Sequence, residues 1–148
     1  MNIKWLLVDS KISIKNINEA ERFFKVKLPK EYIKICLKFN GGYPEPCCFD
    51  VGGHERVFES LLSLNKDDTY NIYLEDECIK DKTHINLIPF GSDPFGHSIC
   101  FNYSTSNSNP SIVYFDTERA YDEKNYQGEY ICLNFEEFLN MLHEPVDD

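Results

Sequence analysis

The sequence is poor in basic charge and contains no long hydrophobic run. Its 148 residues include 15 Lys and Arg against 25 Asp and Glu, which gives a formal net charge of −10. Binding to nucleic acid needs a basic field, so we expect no nucleic-acid partner. The N-terminal apolar run Trp5–Val8 has four residues, whereas a signal peptide needs about 7–15 and a membrane span about 18. We therefore expect a cytoplasmic protein that does not bind membranes.

Motifs of common enzymes and cofactor sites are also missing. The chain contains no G-x-S-x-G, P-loop, H-E-x-x-H or dinucleotide fingerprint. The six cysteines form no C-x-x-C motif. The two segments that come nearest to the spacing of zinc ligands lack the matching second pair of ligands that a zinc site needs. These segments are His97-x-x-Cys100 and the cluster of Cys47, Cys48 and His54. We therefore predict no catalytic residue, no metal ion and no cofactor.

The segment Asp93–His97 is a weak candidate for a cation-binding loop. It contains a single acid, whereas a calcium loop needs several oxygen ligands at fixed steps. We therefore interpret it as a turn, and we assign no role to His97.

The acidic charge is unevenly distributed along the chain. Residues 1–40 hold nine basic and four acidic side chains, a balance of +5, and residues 41–148 hold six basic and 21 acidic ones, a balance of −15. Such asymmetry suggests a polar interaction surface.

The best candidate for a partner-binding surface is the segment 116–129, because aromatic residues inside an acidic rim are a common composition of interface hot spots. Its candidate contact residues are Asp116, Glu118, Tyr121, Asp122, Glu123, Tyr126 and Glu129. A second candidate is Asp67–Asp81. The alternative interpretation of both segments is a solvated, charge-rich loop without a partner.

Residue patterns predict helices at both ends of the chain and strands between them. Helices are expected over residues 16–24, capped by Asn16 or Asn18, and over 29–39, where Asn40-Gly41-Gly42 ends the helix and reverses the chain. A C-terminal helix is expected from Asn134 to Pro145, with Asn134-x-x-Glu137 at capping-box spacing and with Phe135, Phe138, Leu139 and Leu142 facing the core. A short helix over 69–79 would have Tyr70, Tyr73, Leu74 and Cys78 on one side. The predicted strands are residues 47–51, 57–64, 85–90, 97–103, 112–115 and 130–133. Residues 104–111 form a polar hairpin tip, and 146–148 form a frayed tail.

This order of elements predicts a single α+β domain over residues 1–148. Its twisted, mostly antiparallel sheet carries the N-terminal helices and the C-terminal helix, segregated on one face.

Several of these segments stand in the order of a known family. They are Leu28-Pro29-x-x-Tyr32, Asn40-Gly41-Gly42, Ile88-Pro89-Phe90-Gly91-x-Asp93-x-x-Gly96-x-x-Ile99-Cys100-Phe101, Ile112-Val113-Tyr114 and Phe135-x-x-Phe138-Leu139. Over about residues 14–142, the pattern resembles the SUKH superfamily, which unites fungal cell-wall-assembly regulators with bacterial toxin-immunity proteins. We interpret its signature residues as fold markers, with Pro89 and Phe90 ending a strand; they are Leu28, Pro29, Tyr32, Asn40, Gly41, Gly42, Pro89, Phe90 and Gly96.

The resemblance implies a protein-binding domain without catalysis. Bacterial members typically neutralise a toxin, often a nuclease, that is encoded next door. We therefore expect an immunity protein whose acidic surface binds a basic toxin domain directly. The alternative is a regulatory scaffold or adaptor that resembles the fungal regulators of glucan synthesis in the cell wall. We expect the protein to be a monomer or a weak homodimer.

Overall fold

The computed structural model describes residues 2–146 and confirms the α+β fold. The helices are Ile14–Phe24 (α1), Lys30–Phe39 (α2), Ile72–Ile79 (α3), Thr117–Asp122 (α4) and Phe135–Met141 (α5). The strands are Lys4–Leu6 (β1), Tyr43–Glu45 (β2), Cys48–Val51 (β3), His54–Val57 (β4), Ser60–Leu61 (β5), Leu87–Ser92 (β6), Ser98–Asn102 (β7), Ser111–Phe115 (β8) and Glu129–Cys132 (β9). Among the helices described, none is long and apolar enough to cross a membrane.

The main sheet has five strands in the order β5-β6-β7-β8-β9, and every neighbouring pair is antiparallel. Two antiparallel pairs, β1 with β2 and β3 with β4, stand beside it. The predicted strand over residues 57–64 is therefore wrong as one unit, because Val57 ends β4 and Ser60 begins β5. The polar segment 104–111 does connect two hairpin strands, β7 and β8.

The N-terminal helices and the C-terminal helix pack on one face of the main sheet, as predicted, but the opposite face is covered as well. Successive strand residues point to opposite faces. Ile112 and Tyr114 join the larger core with α1, α2 and α5, whereas Val113 and Phe115 join a second cluster with Ile79 of α3. An apolar strand such as β8 therefore needs cover on both sides, and α3 helps to supply the second layer.

An aromatic cluster joins α2 and α5 to the sheet. The Tyr32 ring contacts the Phe90, Phe101 and Phe135 rings at centroid distances of 6.1, 5.0 and 5.5 Å. All four residues are buried. Two family-signature residues, Tyr32 and Phe90, therefore lie within this buried cluster. Burial of each large aromatic side chain contributes roughly 1.5–3 kcal/mol to the stability of the fold.

The end of α2 confirms the predicted chain reversal at Asn40-Gly41-Gly42. Gly41 has φ +73°, a conformation that favours glycine. The buried Asn40 side chain donates to the Ser10 carbonyl and to Ser63 Oγ, both at 2.8 Å, and accepts from the Leu64 amide at 2.9 Å. Asn40 therefore ties three separate segments together, a role that the sequence did not indicate.

Several boundaries and faces differ from the predictions. Ser13, and neither Asn16 nor Asn18, caps α1, and the Asn16 side chain completes a capping box. In α3, Asn71 is the cap and Ile72 and Ile79 are buried, so the predicted apolar side is wrong. The helix begins at Ile72, three residues later than the predicted start at residue 69.

Strand β6 also runs through Pro89 and Phe90 and ends at Ser92, where the sequence suggested that these two residues end it. The register of β6 against β7 shifts between Pro89 and Gly91. A bulge of this kind accommodates a proline inside a strand, because proline has no amide hydrogen to donate.

The C-terminal helix α5 is capped as predicted. Asn134 accepts from the Glu137 amide, and the Glu137 carboxylate accepts from the Leu133 amide. The helix ends at Met141, before Pro145, because the chain turns extended and His143 pairs with Cys48 through two backbone hydrogen bonds of 2.8 and 2.9 Å. Of the predicted frayed tail, residues 147 and 148 lie outside the described residues.

Candidate partner-binding surfaces

The predicted acidic surface, residues 116–129, contains helix α4 and the start of β9. Asp116 is the N-cap of α4, where its Oδ1 accepts from the amides of Glu118 and Arg119 at 2.9 and 3.1 Å. Tyr126 is only 8% exposed, and its hydroxyl accepts from the Asp116 amide at 2.9 Å. These two predicted contact residues therefore stabilise the segment itself, and the Tyr126 ring is not an exposed contact.

Arg119 neutralises two further residues of this surface. Its guanidinium pairs with the Glu123 carboxylate at 2.7 Å and with the Glu129 carboxylate at 3.0 Å. It also lies over the Tyr126 ring, 4.6 Å from the centroid. The hydrogen bond from Arg119 holds the pKa of Glu123 below its usual value. Two of the five predicted acidic side chains thus share one cation of the same chain.

Three of the seven predicted contact residues remain exposed and unpaired with a cation in the described part of the chain. Glu118, Tyr121 and Asp122 line one shallow depression with Lys82 and Thr117. The Tyr121 side chain is 87% exposed. We call Glu118, Tyr121 and Asp122 the α4 surface.

A second acidic region lies where β2, β5, α3 and the Asp93–His97 turn meet. It is a pocket of about 250 Å³. The lining residues that can interact by charge, hydrogen bonding or aromatic contact include Tyr43, Glu59, Tyr70, Glu75, Asp93 and His97, which together define what we call the His97 recess. The sequence prediction included Tyr70 and Glu75 in its second candidate segment but did not connect them with the other four residues.

Asp93 builds the turn at the floor of this recess. Its Oδ1 accepts from the amides of Phe95 and His97 at 2.9 and 2.8 Å, and its Oδ2 accepts from the Tyr114 hydroxyl. Burial and this hydrogen bond raise the pKa of Tyr114, so the phenol stays protonated as the donor. Gly96 has φ +87°, which a residue with a side chain rarely adopts. The turn interpretation of Asp93–His97 is therefore correct.

His97 is 8% exposed and lines the recess. Its Nδ1 accepts from the Thr117 amide at 3.2 Å, and Asp116 Oδ1 lies 3.6 Å from the same nitrogen. Since Nδ1 acts as an acceptor, the proton of the neutral ring is assigned to Nε2. None of residues 2–146 forms a hydrogen bond with Nε2.

The carboxylates of the recess have no cationic partner within residues 2–146. No Lys, Arg or His nitrogen there lies within 4.0 Å of Glu59, Glu75 or Asp93. Glu75 accepts a single hydrogen bond of 2.9 Å from Ser98 Oγ. Tyr70, whose side chain is 70% exposed, also lines the recess. The recess therefore combines uncompensated negative charge with aromatic contact area.

The structure also brings together one group of metal-ligand type among the described residues, and it differs from the cluster of Cys47, Cys48 and His54 that came nearest to zinc spacing in the sequence. Asp50 and Glu55 of the β3–β4 hairpin meet His143. His143 Nε2 lies 3.0 Å from Asp50 Oδ2, while Nδ1 lies 2.7 Å from the Glu144 carbonyl and 3.8 Å from Glu55 Oε1. The two carboxylates therefore lie beside opposite ring nitrogens, an arrangement that fits an ion-paired contact between the β3–β4 hairpin and His143. We call Asp50, Glu55 and His143 the His143 clasp.

The buried cysteines are held as neutral thiols. Burial raises the pKa of both Cys36 and Cys132 to about 12, and it raises that of Cys100 as well. A thiol is a nucleophile only as the thiolate, so these side chains act as small apolar residues of the core.

The fold is that of a small α+β domain with an antiparallel sheet covered by helices. Residues 11–141 match the SMI1 / KNR4 family (SUKH-1), and the chain therefore belongs to this family. The match spans all the signature residues from Leu28 to Gly96, which the structure places in the core, at the ends of α2 and in the Asp93–His97 turn. No curated protein matches the chain.

Proposed function

We propose that this domain is an immunity protein that neutralises a basic toxin domain by binding it directly, without catalysis. The observation that carries the proposal is the His97 recess, where Glu59, Glu75 and Asp93 have no cationic partner within the described residues. Membership of the SMI1 / KNR4 family supports it, because bacterial proteins of the wider superfamily that the sequence resembles typically neutralise a toxin.

Electrostatics gives the proposed function a physical basis. A net charge of −10 attracts a basic protein over distances of several ångströms, and complementary charge raises the association rate. Nuclease toxins fit this requirement best, because the surface with which they bind phosphates is basic. An acidic domain seated on that surface would block access of the nucleic acid.

Co-expression of this chain with the toxin encoded by the adjacent gene tests the proposal. We expect growth to be rescued, and we expect the two proteins to co-purify in a complex that weakens as salt increases. Failure to rescue growth, together with no complex at low salt, would overturn the proposal. A pull-down that recovers several cell-wall or signalling proteins and no toxin would favour the regulatory scaffold instead.

A further inference from the structure

The His97 recess has the size and the chemistry of a site for one cationic side chain. Its volume of about 250 Å³ lies below the roughly 300–1,000 Å³ typical of sites for drug-sized molecules. A pocket of this size suits a single long side chain better than a cofactor or a nucleotide. We propose that it receives one basic side chain, an arginine or a lysine, of the partner protein, and this inference rests on the proposed function.

Charge is the first reason for this assignment. Glu59 and Glu75 are half-buried and Asp93 is buried, and no cation within residues 2–146 neutralises them. A concave surface lined by one sign of charge focuses the field and raises the local concentration of counter-ions. A cationic group that enters the recess therefore gains favourable interactions that an exposed acidic surface does not offer.

The aromatic residues supply a second component of recognition. Tyr43 and Tyr70 line the recess, and Tyr70 is largely exposed. A guanidinium or ammonium group over the face of a tyrosine ring is attracted by the negative face of the ring. Three carboxylates and two tyrosines around one cavity are thus suited to a basic side chain, whereas the carboxylates would repel a phosphate or a carboxylate ligand.

His97 adds a hydrogen-bonding group to the lining of the recess. Its side chain is more than nine-tenths buried, and Nδ1 is taken by Thr117. The opposite nitrogen, Nε2, is assigned the proton and forms no hydrogen bond within residues 2–146, so it is free to donate to a ligand. A backbone carbonyl next to the incoming basic side chain would accept this hydrogen, so a peptide satisfies the recess better than a free inorganic cation does.

The intact ¹⁵N-labelled protein tests the site directly by NMR titration with N-acetyl-arginine amide. We expect amide shifts confined to residues 59–60, 70–75 and 93–98. The neutral analogue N-acetyl-citrulline amide should bind at least about tenfold more weakly, as expected for recognition by charge. Equal binding of the two compounds, or shifts spread over all acidic surfaces, would overturn the inference.

The variant Glu59→Gln/Glu75→Gln should abolish these shifts and leave the fold intact, because glutamine keeps the oxygen that accepts from Ser98. The matched control Glu118→Gln/Asp122→Asn removes the same charge from the α4 surface and should leave the shifts unchanged. If the control removes them as completely as the recess variant does, long-range charge and not a site explains the binding.

The same two variants separate the inference from the proposed function. With the toxin, we expect the recess variant to bind at least about tenfold more weakly and the control to bind within about twofold of the native protein. If a complex forms and the recess variant binds normally, the recess inference is wrong and the proposed function stands. If no complex forms at all, the proposed function fails and the arginine titration alone decides the recess.

Discussion

Two acidic regions of this domain differ in how their charge is balanced. At α4, Glu123 and Glu129 share the guanidinium of Arg119, and Asp116 is engaged as a helix cap. In the His97 recess, Glu59 and Glu75 have no such partner in the described part of the chain. The difference teaches that the density of acidic residues in a sequence does not measure the field that a partner meets. That field depends on which charges the fold has already paired.

The largest expected effect comes from removing the carboxylate that organises each region. Asp93→Ala leaves the Tyr114 hydroxyl and two amides without their acceptor, so we expect a loss of about 3 kcal/mol in the free energy of unfolding. Asp116→Ala removes only a helix cap and should cost about 1 kcal/mol. Urea denaturation of both variants measures the difference. Equal losses would contradict the view that the turn under the recess is the more tightly organised region.

The exposed tyrosines of the two regions provide the next comparison. Tyr70→Ala at the recess should weaken binding of the toxin about tenfold, the size expected of an aromatic hot spot. Tyr121→Ala on the α4 surface should change it less than about twofold. Both side chains are exposed, at 70% and 87%, so neither variant should lose stability. Isothermal titration calorimetry provides the measurement, and the reverse order of effects would move the interface to the α4 surface.

Arg119→Gln converts the compensated region into an uncompensated one. We expect the stability to change by less than about 1 kcal/mol, because both ion pairs are partly exposed to solvent. N-acetyl-arginine amide should then shift amides in residues 118–129 that it leaves unaffected in the native protein. Arg22→Gln is the matched control, since Arg22 forms no ion pair within residues 2–146. New shifts at α4 in the control would show that net charge, not the lost pairing, is responsible.

The smallest expected effect is a dependence of local stability on pH at the β3–β4 hairpin. The cation that compensates Asp50 and Glu55 there is His143, which can lose its charge as pH rises. The hydrogen bond to the Glu144 carbonyl, and then the charges of Asp50 and Glu55, raise the pKa of His143 above its ordinary 6.5. Because the pKa of His143 is higher in the folded than in the unfolded state, protonation stabilises the folded state. This stabilisation is complete at a pH below the pKa of the unfolded state, and it is lost as pH rises through the pKa of the folded state. The clasp should therefore loosen between about pH 6 and 8.

Hydrogen exchange of the Val146 amide, which donates to Glu55 at 3.1 Å, reports this loosening. We expect its protection, corrected for the intrinsic pH dependence of exchange, to fall over that range. In His143→Gln the protection should be low and independent of pH, whereas His84→Gln, at an exposed site, should behave as the native protein does. A native protein whose corrected protection does not vary with pH would contradict the assignment.

Local patterns predicted a large part of the fold. The Asn134-x-x-Glu137 pattern gave the cap of α5, and the spacing of Phe135, Phe138 and Leu139 gave its buried face. Such predictions succeed because cap and face depend on residues three or four positions apart. Strands β1 and β2 were not predicted. Trp5 in β1 packs against Phe39 and Phe58, which are distant in the sequence, and no local pattern encodes that contact.

The predicted partner-binding surface shows the same limit. The sequence placed acids and tyrosines together at 116–129, and the structure leaves only Glu118, Tyr121 and Asp122 exposed there without an opposing cation within residues 2–146. Whether a carboxylate is paired depends on the direction of a single long side chain such as Arg119. Composition alone does not contain that information.

The sequence by itself determined the acidic balance, the α+β class, the core helices and the membership of a family. Each of these depends on composition or on residues close together in the chain. The tertiary structure alone decided that Tyr43, Glu59, Glu75 and His97 share one recess, because strands β2 and β5, helix α3 and the Asp93–His97 turn must meet to form it. It also decided which acids remain unpaired, since pairing depends on distances of a few ångströms between residues far apart in sequence.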